Sequence, residues 1–200
     1  VAAALSFIDA PGSWPYLSPI MALLEIIVAP DPRLKKKAVA VERVDASIAK
    51  LMNDMLETMY EAPGVGLAAP QVGVSKRIIV VDPAGEDDPA APLKMANPEI
   101  IWASDQLKPH EEGCLSLPEE YQEVMRPASI KVRYLDEQNE IRTLDAEGLL
   151  AVIIQHEMDH LEGVLFVDHL SALKRNMIIK RLTKIKKFEQ KSSKRHAVEV

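Results

Sequence analysis

Gly148-Leu-Leu-Ala-Val-Ile-Ile-Gln-His-Glu-Met-Asp-His-Leu-Glu-Gly163 reads as one helix over residues 148–162, closed by a glycine. Leu149, Val152, Ile153 and Leu161 make it apolar enough to be buried rather than solvated. Inside it lies His156-Glu157-Met158-Asp159-His160. Residues four apart share a helix face, so His156 and His160 can hold one divalent ion. Glu157 then stands beside the open coordination position, where it can take a proton from metal-bound water. Two histidines on a solvated face would satisfy the same spacing, but the apolar residues around them argue against that.

The rest of the chain supplies elements to pack on this helix. Ile130–Leu135 and Glu140–Ala146 read as strands joined across Asp136–Asn139 in a hairpin, and Arg77–Asp82 and Leu93–Trp102 as further strands. Asp45 can cap a helix whose Ile48, Leu51, Met52, Met55, Leu56 and Met59 recur at three- and four-residue spacing until Pro63. The methionines on that face suit ordinary core packing. Gly64-Val-Gly-Leu-Ala-Ala-Pro-Gln-Val-Gly73 is too rich in Gly and Pro for a regular element and reads as a loop; the acidic run Gly85–Pro92 reads as an exposed one. A last helix spans about residues 172–188, with Leu173, Met177, Leu182 and Ile185 on its apolar side. The expected class is α+β: antiparallel strands around the central metal-binding helix, plus a C-terminal helix, without a βαβ rhythm.

Composition narrows the function. The 200 residues are 48% apolar and 27% charged, enough for a packed core. No apolar run approaches the roughly 18 residues of a membrane span. The single Cys114 cannot form an internal disulfide, and no secretory leader is visible, so a cytoplasmic domain is expected. Residues 1–20 hold four of the Pro/Gly positions and one charge, and read as an upstream extension, a cloning remnant or a leader. Met21 opens the catalytic domain, expected over 21–188, with a polar, frayed tail over 189–200. The net charge of −6 is unevenly spread: residues 171–195 carry ten Lys/Arg and only Glu189 as an acid. An acidic body with a basic arm suggests an anionic partner for the arm.

The third ligand decides the metal class. Six residues after His160, where a metzincin has its third histidine, stands Phe166; His169 is outside that spacing, and Glu189 matches a thermolysin-like pattern on spacing alone. Cys114, in Glu111-Glu-Gly-Cys-Leu-Ser-Leu-Pro118, remains, and a thiolate suits a borderline-soft divalent ion.

With these segments together, the sequence resembles the peptide deformylases. Three of that family's motifs occur in its order: Gly64-Val-Gly-Leu-Ala-Ala-Pro-Gln71, Glu112-Gly-Cys-Leu-Ser-Leu117 and Gln155-His-Glu-Met-Asp-His-Leu-Glu-Gly163. The resemblance runs from about residue 21 to about 187 and includes the long C-terminal helix of the Gram-negative bacterial type. It implies Cys114, His156 and His160 as ligands and Glu157 as general base and then acid. Gln71 would donate its side-chain amide to the developing oxyanion, together with the Leu115 N–H. Val65, Gly66, Gly113, Leu149 and Ile153, with the His156 ring, would contact the substrate. That substrate would be the N-formylmethionyl end of a new polypeptide, cleaved to formate and an amine. The native ion would be Fe²⁺, with Zn²⁺, Ni²⁺ or Co²⁺ able to occupy a purified sample. His110 stands where relatives often have Tyr or Ile, which bears on how the rim meets a peptide.

Two further expectations concern charged residues. Arg126 and Asp159 would pair and brace the metal helix. The basic C-terminal helix is either a solvated face or, as the resemblance suggests, a surface that docks on ribosomal RNA through phosphates without reading sequence. Other readings of the same residues are a zinc endopeptidase and a non-catalytic metal-stabilised module. Inert sites usually take four protein ligands, however, and only three are identifiable here.

Overall fold

The computed structural model describes residues 23–84 and 88–196, with side chains through Phe188. The expectations for residues 1–20, for the centre of the acidic loop and for residues 197–200 lie outside the described residues.

Ile-Ile-Val-Val explains how the core is layered. These residues form β2 (Ile78–Val81), and all four are fully buried because successive side chains point to opposite faces. Ile78 and Val80 meet helix α1 (Ala46–Glu61), whose Met52, Met55 and Met59 have no exposed surface. Ile79 and Val81 face helix α2 (Gly148–Leu161) through Ile153, Ile154 and Leu161. The metal-motif helix is thus the inner layer on one side of a sheet. Asp45 caps α1 by accepting from the Ser47 and Ile48 N–H groups.

The sheet is antiparallel throughout. Its order is β1 (Gly66–Ala68), β2, β3 (Leu93–Ala103), β6 (Ser129–Leu135) and β7 (Ile141–Glu147). Asp136 Oδ1 accepts from the Gln138 and Glu140 N–H groups to make the tight β6–β7 turn. A separate hairpin pairs β4 (Leu107–Cys114) with β5 (Leu117–Pro127). The mixed α+β class is as expected, but three local expectations need correction. Residues 66–68 are a strand, not loop, pairing Gly66 with Val81, and a 3₁₀ turn follows over Ala69–Val72. The β4–β5 hairpin has no counterpart among the expected elements. The last helix, α3 (Ala172–His196), is longer than expected and packs through Ile178 and Leu182, while Leu173 and Met177 are exposed. Residues 178 and 182 are four apart and share the face that meets Leu34 and Val167.

The end of α2 is fixed by a Schellman motif. The Val164 N–H donates to the Asp159 carbonyl at 2.9 Å and the Gly163 N–H to the His160 carbonyl at 3.2 Å. Gly163 has φ +73°, and a Cβ there would lie 2.6 Å from the Lys35 carbonyl oxygen. Gly163→Ala therefore combines left-handed strain with a backbone overlap, and should destabilise the fold by about 3 kcal/mol in urea unfolding. A loss below the reach of that measurement would show that the loop around Lys35 yields freely.

Candidate active site

The β4–β5 hairpin carries the sulfur to the helix. Cys114 ends β4, and its Sγ lies 3.3 Å from His160 Nε2. Ligand atoms of Cys114, His156 and His160 all fall within 4.8 Å of one another. One helical turn separates the histidines, so their rings meet edge-on with centroids 5.1 Å apart. Burial holds His160 well below the usual imidazole range, which keeps it a neutral donor.

The ring of His156 is oriented from outside. Its Nδ1–H donates to Glu112 Oε2 at 2.7 Å, leaving Nε2 for the cluster. Arg126 grips both oxygens of Glu112, at 2.7 and 3.0 Å, and gives Nη1–H to Asp159 Oδ2 at 2.6 Å. The Arg126–Asp159 pair is thus formed. Burial alone would raise Glu112, but the bonds from His156 and Arg126 outweigh it and take it down to about 2.

Glu157 lies beside the cluster and is 4% exposed. Burial, partly opposed by His156, pushes its carboxyl up to about 7. Among the described residues its Oε2 has no hydrogen-bond partner. Its Oε1 lies so near Gly66 that a Cβ there would approach to 2.5 Å, and Ile153 Cγ2 would be 2.8 Å away. Gly66→Ala should therefore push Glu157 aside and lower kcat by about 100-fold with the far-UV circular dichroism unchanged. Activity within a few-fold of the parent would mean that Glu157 is not held by this contact.

Gln71 sits on the 3₁₀ turn after β1, 1% exposed. The Ala68 N–H donates to its Oε1 at 2.7 Å, which turns Nε2 toward Ser116 Oγ (3.2 Å) and Cys114 Sγ (3.6 Å). Leu115 lies in the β4–β5 turn. A cleft of about 360 Å³ opens above these groups, and Val65, Gly66, Gln71, Gly113, Leu115, Leu149 and Ile153 line it with Cys114, His156 and Glu157. His160 is not among the lining residues, although its Nε2 approaches the Sγ of Cys114, which is. Val65 and Leu149 are half-exposed at the mouth, as pocket walls rather than core.

The model of the polypeptide deformylase family matches residues 23–176. The chain belongs to that family. It is 60% identical over 164 residues to the peptide deformylase of Phenylobacterium zucineum, covering 82% of this chain and 97% of that one. The peptide deformylase structure from Ehrlichia chaffeensis superposes with TM-score 0.80 at 40% identity, over 84% of this chain and 99% of that one. The class I type b peptide deformylase of Acinetobacter baumannii, with Met-Ala-Ser bound, gives TM-score 0.71 at 38% identity, over 76% of this chain and 100% of that one. This deformylase is accordingly a hydrolase. No helix among its described residues is long and apolar enough to cross a membrane.

Several groups of the deformylase site escaped the sequence reading. Glu112 is one, although it is buried two residues before Cys114 on β4. Tyr121 is another: its ring covers Gly113, where a Cβ would come within 2.5 Å. Phe166, at the metzincin position, stacks on His156 with centroids 6.1 Å apart. His169 is bonded to Asp159 instead of reaching the cluster. The side chain of Glu189 lies outside the described residues.

Proposed function

We propose that this deformylase uses one divalent ion, held by Cys114, His156 and His160, to remove the formyl group from N-formylmethionyl polypeptide ends. What supports it is the convergence of those three ligand atoms beside a buried, unpartnered carboxylate oxygen. A thiolate with two imidazoles suits iron, zinc, cobalt or nickel, and three protein ligands leave a position open. Fe²⁺ is the native ion in this reading. When bound, such an ion acidifies water and polarises a carbonyl.

The chain's own residues do the rest. Glu157 accepts the proton that the attacking water gives up as its oxygen bonds to the formyl carbon. Negative charge then gathers on the formyl oxygen, where Gln71 Nε2–H and the Leu115 N–H donate. Glu157 returns the proton to the amide nitrogen as the C–N bond breaks, leaving formate and a free amine. Val65, Leu149 and Ile153 offer an apolar wall for the methionine side chain, and Gly66 and Gly113 let the peptide backbone come close. The Met-Ala-Ser held by the Acinetobacter baumannii relative has the form of a product of this reaction.

The test is formate release from formyl-Met-Ala by anaerobic protein loaded with Fe²⁺ or Co²⁺, beside acetyl-Met-Ala and casein. Release from the formyl peptide alone is expected. Cleavage of casein without formate would make the site a peptidase.

The setting proposed is the bacterial cytoplasm, with the catalytic domain over 21–188. The exposed Lys180, Lys184 and Lys187 of α3 would meet ribosomal RNA phosphates. Because Ile178 and Leu182 are core residues, charge reversal tests this better than truncation. Changing the three lysines to Glu should abolish co-sedimentation with ribosomes at low salt and leave formate release intact. Unchanged co-sedimentation would remove the arm from the account.

A further inference from the structure

His169 lies outside the cleft, yet it ends an unbroken hydrogen-bonded chain that begins at a metal-site histidine. His156 Nδ1–H donates to Glu112, Arg126 donates to both Glu112 and Asp159, and His169 Nε2–H donates to Asp159 Oδ2 at 2.7 Å. The last two donors share one oxygen. Arg126 and Glu112 are almost fully buried, whereas the side chains of Asp159 and His169 are 24% and 37% exposed. Of the two acids bonded to Arg126, Asp159 is therefore the one with surface through which that bond can exchange for water. His169, the more exposed of its two donors, adds a second bond to the oxygen that Arg126 holds.

The backbone that presents His169 is itself pinned. His169 closes the 3₁₀ turn Phe166–His169. Asp168 of that turn accepts from the Leu165 N–H at 2.8 Å and pairs with Lys35. Phe166, at the other end of the turn, stacks on the His156 ring. One four-residue turn thus reaches His156 twice, directly through Phe166 and at a distance through His169. We propose that His169 is a positioning residue of the metal centre, fixing the His156 ring through Asp159, Arg126 and Glu112. The inference rests on the reading that Cys114, His156 and His160 hold the ion.

The experiment measures Co²⁺ retention against a chromophoric chelator, with thermal midpoints alongside, for the parent chain, His169→Phe, His169→Gln and Cys114→Ser. Losing a group that orients a metal ligand typically costs about 10–100-fold in affinity, and a site this remote should fall near the lower end. His169→Phe should bind Co²⁺ about tenfold more weakly. His169→Gln, which keeps an N–H donor at the end of the side chain, should return it to within about twofold. Neither should shift the thermal midpoint of the metal-free protein. Parental affinity in His169→Phe, or equal losses in Phe and Gln, would overturn the proposal, as would a loss that follows a fall in the midpoint. Cys114→Ser separates the two readings. If it weakens Co²⁺ binding strongly while His169→Phe does not, the positioning role alone fails; if it binds as the parent does, the metal site fails and the inference with it.

Discussion

Glu157→Gln should lower kcat by about 10³-fold while the metal content per chain stays at the parental value. The substitution preserves shape, so the close approach to Gly66 survives. What it removes is the ability to take and return a proton. The buried carboxyl lies near 7, close to the pH at which a group serves both as base and as acid. A loss of that size corresponds to about 4 kcal/mol of barrier. Steady-state formate release and elemental analysis check the two halves together. Activity within tenfold of the parent would place the proton acceptor elsewhere. Loss of the metal would make Glu157 part of the ion's support instead.

Glu112→Ala should be the most damaging change to stability and metal affinity together. It leaves Arg126, 5% exposed, with a buried charge whose two-pronged partner is gone. Breaking such a pair costs about 3–5 kcal/mol, because the survivor cannot regain its water. In a chain of this size that lowers the melting temperature by on the order of 10 °C. The bond to His156 Nδ1 disappears as well, so metal affinity should fall by about 10–100-fold. Calorimetry and chelator competition measure these separately. A stable variant that still binds metal as the parent does would mean that the ring of His156 is oriented by its stacking on Phe166 alone.

How far the fold could be read in advance follows from which residues face inward. Helix α2 was legible because its inward positions are Leu, Val and Ile at helical spacing, and because Gly163 is the residue a left-handed cap requires. Helix α1 was legible through Asp45 and its methionines. The β4–β5 hairpin was not, although it brings Cys114 to the histidines. Its inward positions include Glu112, Cys114 and Arg126, which neutralise one another or join the cluster, so no apolar alternation marks the strands. Strand β1 is built of Gly, Leu and Ala beside a Pro-containing turn, and only its pairing with Val81 and Val80 makes it a strand. Helix α3 offers apolar residues on two faces, Leu173 with Met177 and Ile178 with Leu182; the contacts with Leu34 and Val167 select the second.

The candidate site was more legible than the fold around it. Helical spacing alone pairs His156 with His160, and Cys114 followed from the absence of another suitable third ligand. The roles proposed for Gln71 and Leu115 came only with the family resemblance, since nothing in a Gly/Pro-rich segment marks an amide for the cleft. Behind the cluster the Arg126–Asp159 pair was legible, but Glu112 was not, because the hairpin that sets Glu112 (opposite Gln122) and Arg126 (opposite Lys108) on its two strands was not recognised.

The most direct test of the metal centre is a crystal of the Co²⁺-loaded protein with diffraction recorded on both sides of the cobalt absorption edge. One anomalous peak is expected per chain, bonded to Cys114 Sγ and to Nε2 of His156 and His160, with a further position not filled by the protein. A peak elsewhere, or a fourth protein ligand closing the site, would contradict the account.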